Sequence, residues 1–460
     1  MSDSSLVKQR LPITLAIAIF MQMLDSTILN TALPAIAKDL NQSALNMHYA
    51  IVAYVLTLAV LMPVSGFLAD KFGTKRIFIM ALVIFSLGSL FCALSQTLTQ
   101  LIIARIIQGA GGSLMTPVGK LAIIKTFDSK ELLKAMNFAI VPALIGPVMG
   151  PLVGGYMSVY LSWHWIFLIN IPIGMLGIVL AYNYMPNYQS EAPKFDIRGF
   201  LYFSLASLLL SLSIELLGDV ENLTLVLTIF VVGVSLLLAY FIYARKSQNP
   251  IFPTNLFMVR TFRVGILGNF ATRLGISSVP LLLPLMIQTA YGQSAIVSGW
   301  MIAPMALMAI FAKSRVIKIL NRFGYRNTLV VNTIIIGLLI CTLAIPGIHT
   351  SIYWFVPIIV TIGFFNSIQF TSMNSIAIAD LRKYHTSSGN SLLAVNQQLA
   401  IGFGISSGLL IFKYFEYNTA LINNNTHNAF RYTFILIGII SILSSFVFRR
   451  LHSSDGSNLQ

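Results

Sequence analysis

Charged side chains are scarce in this sequence. Asp, Glu, Lys and Arg together make up 9% of the 460 residues, whereas hydrophobic residues make up 57%. A soluble domain carries roughly 25% charged residues. The chain therefore has too little polar surface to face water along its length, and lipid must surround most of it.

The residues on which most enzyme chemistry depends are also few. The two cysteines, Cys92 and Cys341, both lie inside apolar runs and are interpreted as small core residues. The sequence has no Ser/His/Asp set, no metal-ligand cluster and no phosphate-binding Gly-Lys-Ser/Thr loop. An enzyme is thus the least expected class, no cofactor is expected, and ATP is not the expected energy source.

Acidic residues are outnumbered by basic ones. Lys and Arg number 29 against 14 Asp and Glu, which gives a net charge of +15. No basic stretch is interleaved with stacking aromatic residues, and this excludes nucleic-acid binding. The basic residues occupy short connections between apolar runs instead, as the topology of membrane proteins requires.

Long apolar runs recur from end to end, and each is long enough to cross a bilayer as a helix. The sequence predicts an all-α polytopic membrane protein with fourteen transmembrane helices. The predicted spans cover residues 11–33, 48–69, 77–96, 100–124, 135–158, 164–184, 197–216, 223–243, 262–288, 295–315, 328–346, 353–375, 389–411 and 431–449. The first run has no small-residue cleavage site, so we interpret it as a span and not as a signal peptide.

The distribution of Lys and Arg orients these spans. When alternate connections are assigned to opposite sides, the set that includes both termini holds most of the basic residues. The positive-inside rule therefore places both termini in the cytoplasm.

A weak internal repeat divides the chain. Residues 70–75 (Asp-Lys-Phe-Gly-Thr-Lys) are echoed by residues 321–326 (Asn-Arg-Phe-Gly-Tyr-Arg). Repeated halves are common in secondary transporters. We predict an N-terminal six-helix bundle over 1–190, two inserted helices over 191–250, and a C-terminal six-helix bundle with a short cytoplasmic tail over 251–460.

The first copy of this loop carries the candidates for a conformational gate. Glycines permit a close helix approach and a tight turn, and an acid near helix ends can pair with basic residues or with a helix N-terminus. One interpretation is a charge lock between helices that opens and closes during transport, and the other is an ordinary positive-inside loop. The residues concerned are Gly66, Asp70, Gly73, Lys75 and Arg76.

Asp25 lies well inside the first predicted span. A charged carboxylate at such a depth costs several kcal/mol unless it is paired, so it is a functional candidate by default. Arg105 in the fourth span lies at a similar predicted depth, and the two form our candidate proton-coupling pair. The alternatives are a permanent structural salt bridge for Asp25 and an arginine that reaches the interface for Arg105.

The fifth span has glycines four residues apart, which places them on one face of a helix. Such a face forms a groove for a neighbouring helix, while prolines beside it are expected to bend the span. The pattern consists of Gly146, Pro147, Gly150, Pro151, Gly154 and Gly155.

Further polar residues within spans are candidates for lining a substrate cavity. Many such amides form hydrogen bonds between helices instead, and Arg273 must be paired or face water. Glu215, near the end of the seventh span, is expected to be exposed to solvent. The cavity candidates are Asn30, Gln108, Arg273, Gln369, Asn396 and Gln397.

Several of these segments resemble those of a known family. The loop from Gly66 to Arg76 resembles the signature loop of the major facilitator superfamily. The segments around Asp25, Arg105 and residues 162–174 resemble those of the fourteen-span EmrB/QacA-type drug:proton antiporters, and the pattern is close to the multidrug resistance proteins of the MdtD kind. The resemblance implies two six-helix bundles around a central cavity, two extra helices at the periphery, and proton coupling at Asp25. It also implies that the fifth-span pattern is an antiporter motif.

The expected function is therefore multidrug efflux, and with it antibiotic resistance, by a transporter of the bacterial inner membrane. The protein would export amphipathic or lipophilic small molecules in exchange for protons by alternating access. A proton-coupled metabolite importer and a non-transporting sensor or scaffold are the alternatives. The expected partners are the small-molecule substrate, protons and the lipid bilayer, and the sequence identifies no accessory or outer-membrane protein.

Overall fold

A computed structural model describes residues 3–190, 194–217, 223–382, 386–422 and 425–456. Within these ranges all regular structure is helical. The chain divides into two compact units, one comprising residues 1–195 and 294–303 and the other residues 196–293 and 304–460.

The first eight helices lie in the first unit. They are α1 (Asp3–Asp39), α2 (His48–Leu61), α3 (Val64–Phe72), α4 (Thr74–Ala93), α5 (Leu98–Thr126), α6 (Ser129–Tyr160), α7 (His164–Leu168) and α8 (Asn170–Tyr184).

The remaining helices follow after residue 196. They are α9 (Ile197–Leu217), α10 (Leu223–Lys246), α11 (Arg260–Ile276), α12 (Val279–Thr289), α13 (Ala295–Thr342), α14 (Phe355–Ala379), α15 (Thr386–Tyr417), α16 (Thr419–Ile422) and α17 (Thr426–Phe448).

Eleven helices in the described part of the chain are long and apolar enough to cross a membrane, and a twelfth is added if α2 and α3 form one span. Those two helices meet at an angle of 57° on either side of Met62 and Pro63. Proline has no N–H to continue the helical hydrogen bonds, which explains the break. All the predicted spans fall on helices, but the count of fourteen stays a prediction.

The repeated loops share an unusual backbone conformation. Gly73 has φ 93° and ψ 143° between α3 and α4, and Gly324 has φ 72° and ψ 166° inside α13. Residues with a Cβ atom rarely adopt such positive φ values. The prediction of a tight turn at Gly73 is confirmed, and Gly324 makes the same kind of break in the second copy.

The expectation that Gly66 lets two helices approach closely is wrong for this structure. Gly66 is exposed, and a Cβ atom added there would meet nothing within 4 Å. Sequence spacing identified the glycine but not which side of α3 faces a neighbour.

The glycine face of α6 packs against α1, as the four-residue spacing predicts. A Cβ atom added at Gly146, Gly150 or Gly154 would come within 3.0 Å of α1. The nearest atoms include Met23 Cβ, 2.7 Å from the added atom at Gly146, and Thr31 Oγ1, 2.6 Å from that at Gly154. The absence of side chains therefore sets the distance between these two backbones.

The other members of the fifth-span pattern lie on the same helix. Gly155 faces residues at the start of α13, where an added Cβ would lie 2.6 Å from the Ala295 carbonyl oxygen. Pro147 and Pro151 both lie inside α6, which continues through them as one helix of 32 residues. Thr31 on α1 donates a hydrogen bond of 3.2 Å to the Pro151 carbonyl.

In the second unit, α11 is packed among α14, α15 and α17, and α9 and α10 pack on each other. Helix α9 also packs on α15, and there Ser406 donates a hydrogen bond to Glu215, which is half-buried. The expectation of solvent exposure for Glu215 is therefore wrong, because the neighbouring helix covers the end of α9.

We predict that Gly154→Ala lowers the stability of the protein by about 1–3 kcal/mol, because the new methyl group meets the backbone of α1 and neither helix can yield easily. Gly66→Ala is the matched control, with open space around the added methyl group. Thermal unfolding of the purified variants in one detergent tests this. Equal melting temperatures for the two variants would contradict the packing described here.

Candidate functional site

Asp25 is fully buried within the first unit. Its side chain is 0% exposed, and the apolar side chains of Leu24 and Ile28 near it on α1 are also buried. A carboxylate at this depth is stable only if other groups compensate its charge and fill its hydrogen-bonding capacity. The residues that do so come from two other helices, α5 and α8.

Arg105 supplies the opposite charge. Its Nη1 donates to Asp25 Oδ2 over 2.7 Å, and the Arg105 side chain is 1% exposed. The Nε–H donates to the Ala50 carbonyl on α2 over 3.3 Å, and the guanidinium lies 4.1 Å from the centre of the Tyr54 ring. The sequence left open whether the two charges face each other, and in the structure they form a buried ion pair.

Two amides complete the coordination of the carboxylate. Gln108 Nε2 donates to Asp25 Oδ1 over 2.8 Å, and Asn170 Nδ2 donates to the same oxygen over 3.0 Å. Both amides also donate to Ser89 Oγ, and Gln108 Oε1 accepts a bond of 2.5 Å from Arg105. Gln108 was expected in a substrate cavity, but it is fully buried inside this cluster.

The arrangement surrounds the Asp25 carboxylate with donors. Oδ1 accepts two hydrogen bonds, Oδ2 accepts one from Arg105, and the positive charge of Arg105 lies in direct contact. Because neither member of the pair reaches solvent, a proton cannot arrive at Asp25 without a change in the packing of these helices. The Tyr54 hydroxyl and Asn170 Oδ1 are buried without a hydrogen-bond partner among the described residues.

Asn170, Ser89 and Tyr54 are members of the cluster that the sequence analysis missed. Asn170 lies in a segment that carried a family resemblance, and a lone amide within an apolar run was a usable signal. Ser89 and Tyr54 gave no such signal, since hydroxyl groups in spans commonly bond to their own helix.

Asp70, in the last turn of α3, forms a second ion pair with Lys125 in the last turn of α5. Asp70 accepts hydrogen bonds from Lys125 Nζ at 3.0 Å and from Ser190 Oγ at 2.8 Å. Lys75 lies over the Tyr182 ring at 5.0 Å, and Arg76 is exposed. The loop is thus tied to α5 and to the segment that follows α8, but Arg76 takes no part.

Two cavity candidates of the second unit make hydrogen bonds between helices, the alternative that the sequence left open. Asn396 donates to the Ile266 carbonyl over 3.1 Å, and Gln397 donates to Asn374 over 2.6 Å. Asn30, in the first unit, is half-buried on α1.

Arg273 and Gln369 are the candidates that line one pocket together. Arg273 Nε donates to Asn269 Oδ1 over 3.0 Å, and its guanidinium lies 5.2 Å from the centre of the Phe370 ring. Gln369 is almost fully buried, and it accepts a hydrogen bond from a neighbouring Asn and donates one to a neighbouring Thr.

A buried ion pair within membrane-spanning helices is typical of transporters. Comparison with known proteins defines the class. The sequence profile of the Major Facilitator Superfamily matches residues 15–405. The chain belongs to this superfamily, and it is a multi-pass membrane transporter and not an enzyme.

Curated relatives cover nearly the whole chain. A protein of Haemophilus influenzae named "Probable transport protein HsrA" is 41% identical over 97% of this chain and 96% of its own length. A protein of Salmonella paratyphi B named "Putative multidrug resistance protein MdtD" is 40% identical over 96% of this chain and 95% of its own length.

Solved structures agree on the fold. An auto-inhibited peptide transporter of the POT family superposes with a TM-score of 0.73 at 14% identity, covering 97% of this chain and 98% of the other. A D-xylose-proton symporter superposes with a TM-score of 0.67 at 14% identity, with the same coverage. At this identity the likeness shows the fold alone.

We predict that Arg105→Gln destabilises the protein by about 3–5 kcal/mol, because it leaves the Asp25 carboxylate buried without a counter-ion. The double variant Asp25→Asn/Arg105→Gln should recover part of the loss, since it removes the uncompensated charge. Thermal unfolding of purified wild type, both single variants and the double variant measures this. Additive losses would show that the ion pair contributes no coupling energy.

Proposed function

We propose that this protein is a proton antiporter that exports amphipathic or lipophilic small molecules from the cell. The observation that carries the proposal is the fully buried pair of Asp25 and Arg105, with its carboxylate bonded by two further amides. A buried acid whose partner can release it is suited to binding and releasing a proton. The name of the Salmonella relative supports drugs as the exported substrates.

The proposed cycle uses the charge of Asp25 as its switch. When Asp25 binds a proton it becomes neutral, and the attraction that holds the Arg105 guanidinium is lost. The amides that donate to Asp25 Oδ1 then lose a strong acceptor, which favours a different packing of α1 and α5. Loss of the proton on the other side of the membrane restores the pair, and a one-unit difference in pKa between two states supplies about 1.4 kcal/mol for the shift.

We further propose fourteen spans with both termini in the cytoplasm of a bacterium, and the inner membrane as the location. Helix α13 supports the higher count: its 48 residues would extend about 72 Å if straight, more than twice a hydrocarbon core of about 30 Å. The non-helical Gly324 divides it near the predicted loop. In this proposal residues 1–190 and 251–460 form the two six-helix bundles, and residues 191–250 supply the two inserted helices.

Proton flux in inverted membrane vesicles with an acidified lumen tests the proposed exchange. Addition of a substrate should collapse the gradient in wild type, and Asp25→Asn should abolish this response because a neutral amide cannot exchange a proton. Asp39→Asn is the matched control: Asp39 lies on the same helix, is exposed, and accepts a bond from Trp163 outside the cluster.

The alternatives predict different results in the same vesicles. A proton-coupled importer would move substrate and protons in the same direction, so the sign of the pH change distinguishes it from an exporter. A sensor or scaffold would give no flux with any compound in a broad panel, and Asp25→Asn would then leave its function intact.

We also predict that Asp70→Asn slows transport with little loss of stability. The Asp70–Lys125 pair is about 30% exposed on each side, so its contribution to stability should not exceed about 1 kcal/mol. If the pair is a lock that must open and close, its loss changes the rate at which the states interconvert. Substrate flux and melting temperature, measured on the same preparation, test this. A large fall in melting temperature with unchanged flux would contradict the role.

A further inference from the structure

The segment that follows α17 folds back onto the second unit. Most side chains of residues 449–456 are polar and exposed, but Leu451 is only 2% exposed. Leu451 belongs to an apolar cluster with side chains of α11, α13, α14 and α17. The other members are Val264, Val316, Leu320, Tyr325, Leu329, Ile368, Met373, Ile376 and Phe448. We call residues 449–456 the strap, because this leucine joins them to three helices besides α17.

An ion pair closes the strap onto the first residue of α11. Arg260 Nη2 donates to Asp455 Oδ1 over 2.5 Å, and the backbone N–H of His452 donates to Asp455 Oδ2 over 2.8 Å. The Asp455 side chain is 7% exposed and that of Arg260 is 40% exposed. The pair therefore lies at the surface of the unit, where its two charges can separate without either one being left in the core.

The strap crosses the second copy of the repeated loop, residues 321–326. A Cβ atom added at Gly324 would have the Ser453 carbonyl oxygen as its neighbour, at 3.9 Å. A Cβ atom added at Gly456 would meet the Tyr325 ring, so the strap backbone lies against that ring. Both glycines have positive φ, 72° at Gly324 and 82° at Gly456, which disfavours a side chain at either position.

The first unit has a similar arrangement around the first copy of the loop. There the Thr74 N–H donates to the Tyr188 carbonyl over 3.0 Å, and Ser190 Oγ donates to Asp70 over 2.8 Å. Lys125 forms an ion pair with the same Asp70. Helices α8 and α17 contain the last spans of the two predicted bundles, so each loop is covered by the segment that follows the last span of its bundle.

The two copies differ in the position of the acid. Asn321 stands where the first copy has Asp70, so residues 321–326 contain no carboxylate. Asp455 supplies one from the strap, and its cation comes from the start of α11 and not from the end of α5. An ion pair beside the loop thus occurs in both units although its residues are not equivalent, and this recurrence favours a shared function for the pair.

We propose that the strap is a latch on the second unit, and that the Arg260–Asp455 ion pair is the contact that opens and closes it. The inference rests on the proposed function, since a latch matters only in a protein that alternates between states. While the pair is closed, the strap links the start of α11 to the loop at Gly324 in α13. Opening of the pair releases both together, so the strength of the pair sets how often this unit changes state.

Hydrogen–deuterium exchange of the purified full-length protein, measured by mass spectrometry, tests the latch without a substrate or a gradient. Asp455→Asn and Arg260→Gln each remove the ion pair with a small change in side-chain volume. Each should speed amide exchange about fivefold or more in the strap, in the start of α11 and in residues 320–329, because a charge-assisted hydrogen bond is lost. The double variant should exchange no faster than either single variant, since all three lack the same contact.

The matched control is Glu131→Gln, which removes an exposed ion pair from the first unit, where Lys8 Nζ lies 2.6 Å from Glu131 Oε2. It should leave exchange in the second unit unchanged. Asp455→Glu keeps the charge and should retain most of the protection. Melting temperatures show whether each variant is folded, and Asp455→Glu together with Arg260→Gln keeps the test decisive if Asp455→Asn is not.

Faster exchange in the strap alone, with the start of α11 and residues 320–329 unchanged, would overturn the proposal, because the strap would then hold neither of them. Proton flux in the vesicles described above separates the latch from the antiport. A changed rate of flux in Asp455→Asn supports the latch, whereas an unchanged rate in a variant with faster exchange overturns it. Faster exchange in all three segments, in a protein whose wild type gives no flux, would overturn the antiport mechanism and support the latch.

Discussion

A carboxylate buried in a membrane protein must be compensated by a counter-charge and by hydrogen-bond donors from its surroundings. Asp25 needs a counter-charge and donors for both oxygens, and these come from Arg105, Gln108 and Asn170. Because the donors bond in turn to Ser89 and to the α2 backbone, five helices are fixed by one charge. Because these hydrogen bonds form one connected network around a single carboxylate, removing that carboxylate would weaken all of them together.

The glycine face of α6 helps to position Asp25. Gly146 and Gly150 contact α1 at Met23 and Thr27, two residues before and two residues after Asp25. Close approach of these backbones fixes where the carboxylate lies and excludes water from one side of it. The fifth-span pattern and the acid were separate features in the sequence, but in the structure the first holds the second in position.

The sequence predicted the helices, the buried acid and the turn at Gly73, because apolar length, charge and glycine content are local properties. It placed Asp25 and Arg105 at a similar depth in the membrane. It could not show how each helix is rotated about its own axis, and this rotation decides which side chains face each other. For this reason Gly66 was assigned to a helix contact that does not exist here, and Gln108 was placed in a cavity instead of the ion-pair cluster. Burial of Glu215 was missed because it depends on a helix almost 200 residues away.

Arg105 and Arg273 are both arginines within membrane units, but they differ in how their charges are compensated. Both lie inside membrane units beside an aromatic ring and an amide, but only Arg105 has a carboxylate among the described residues. The charge of Arg105 is neutralised by the Asp25 carboxylate of the protein itself. Arg273 has no such carboxylate among the described residues, so its charge must face water or another compensating group.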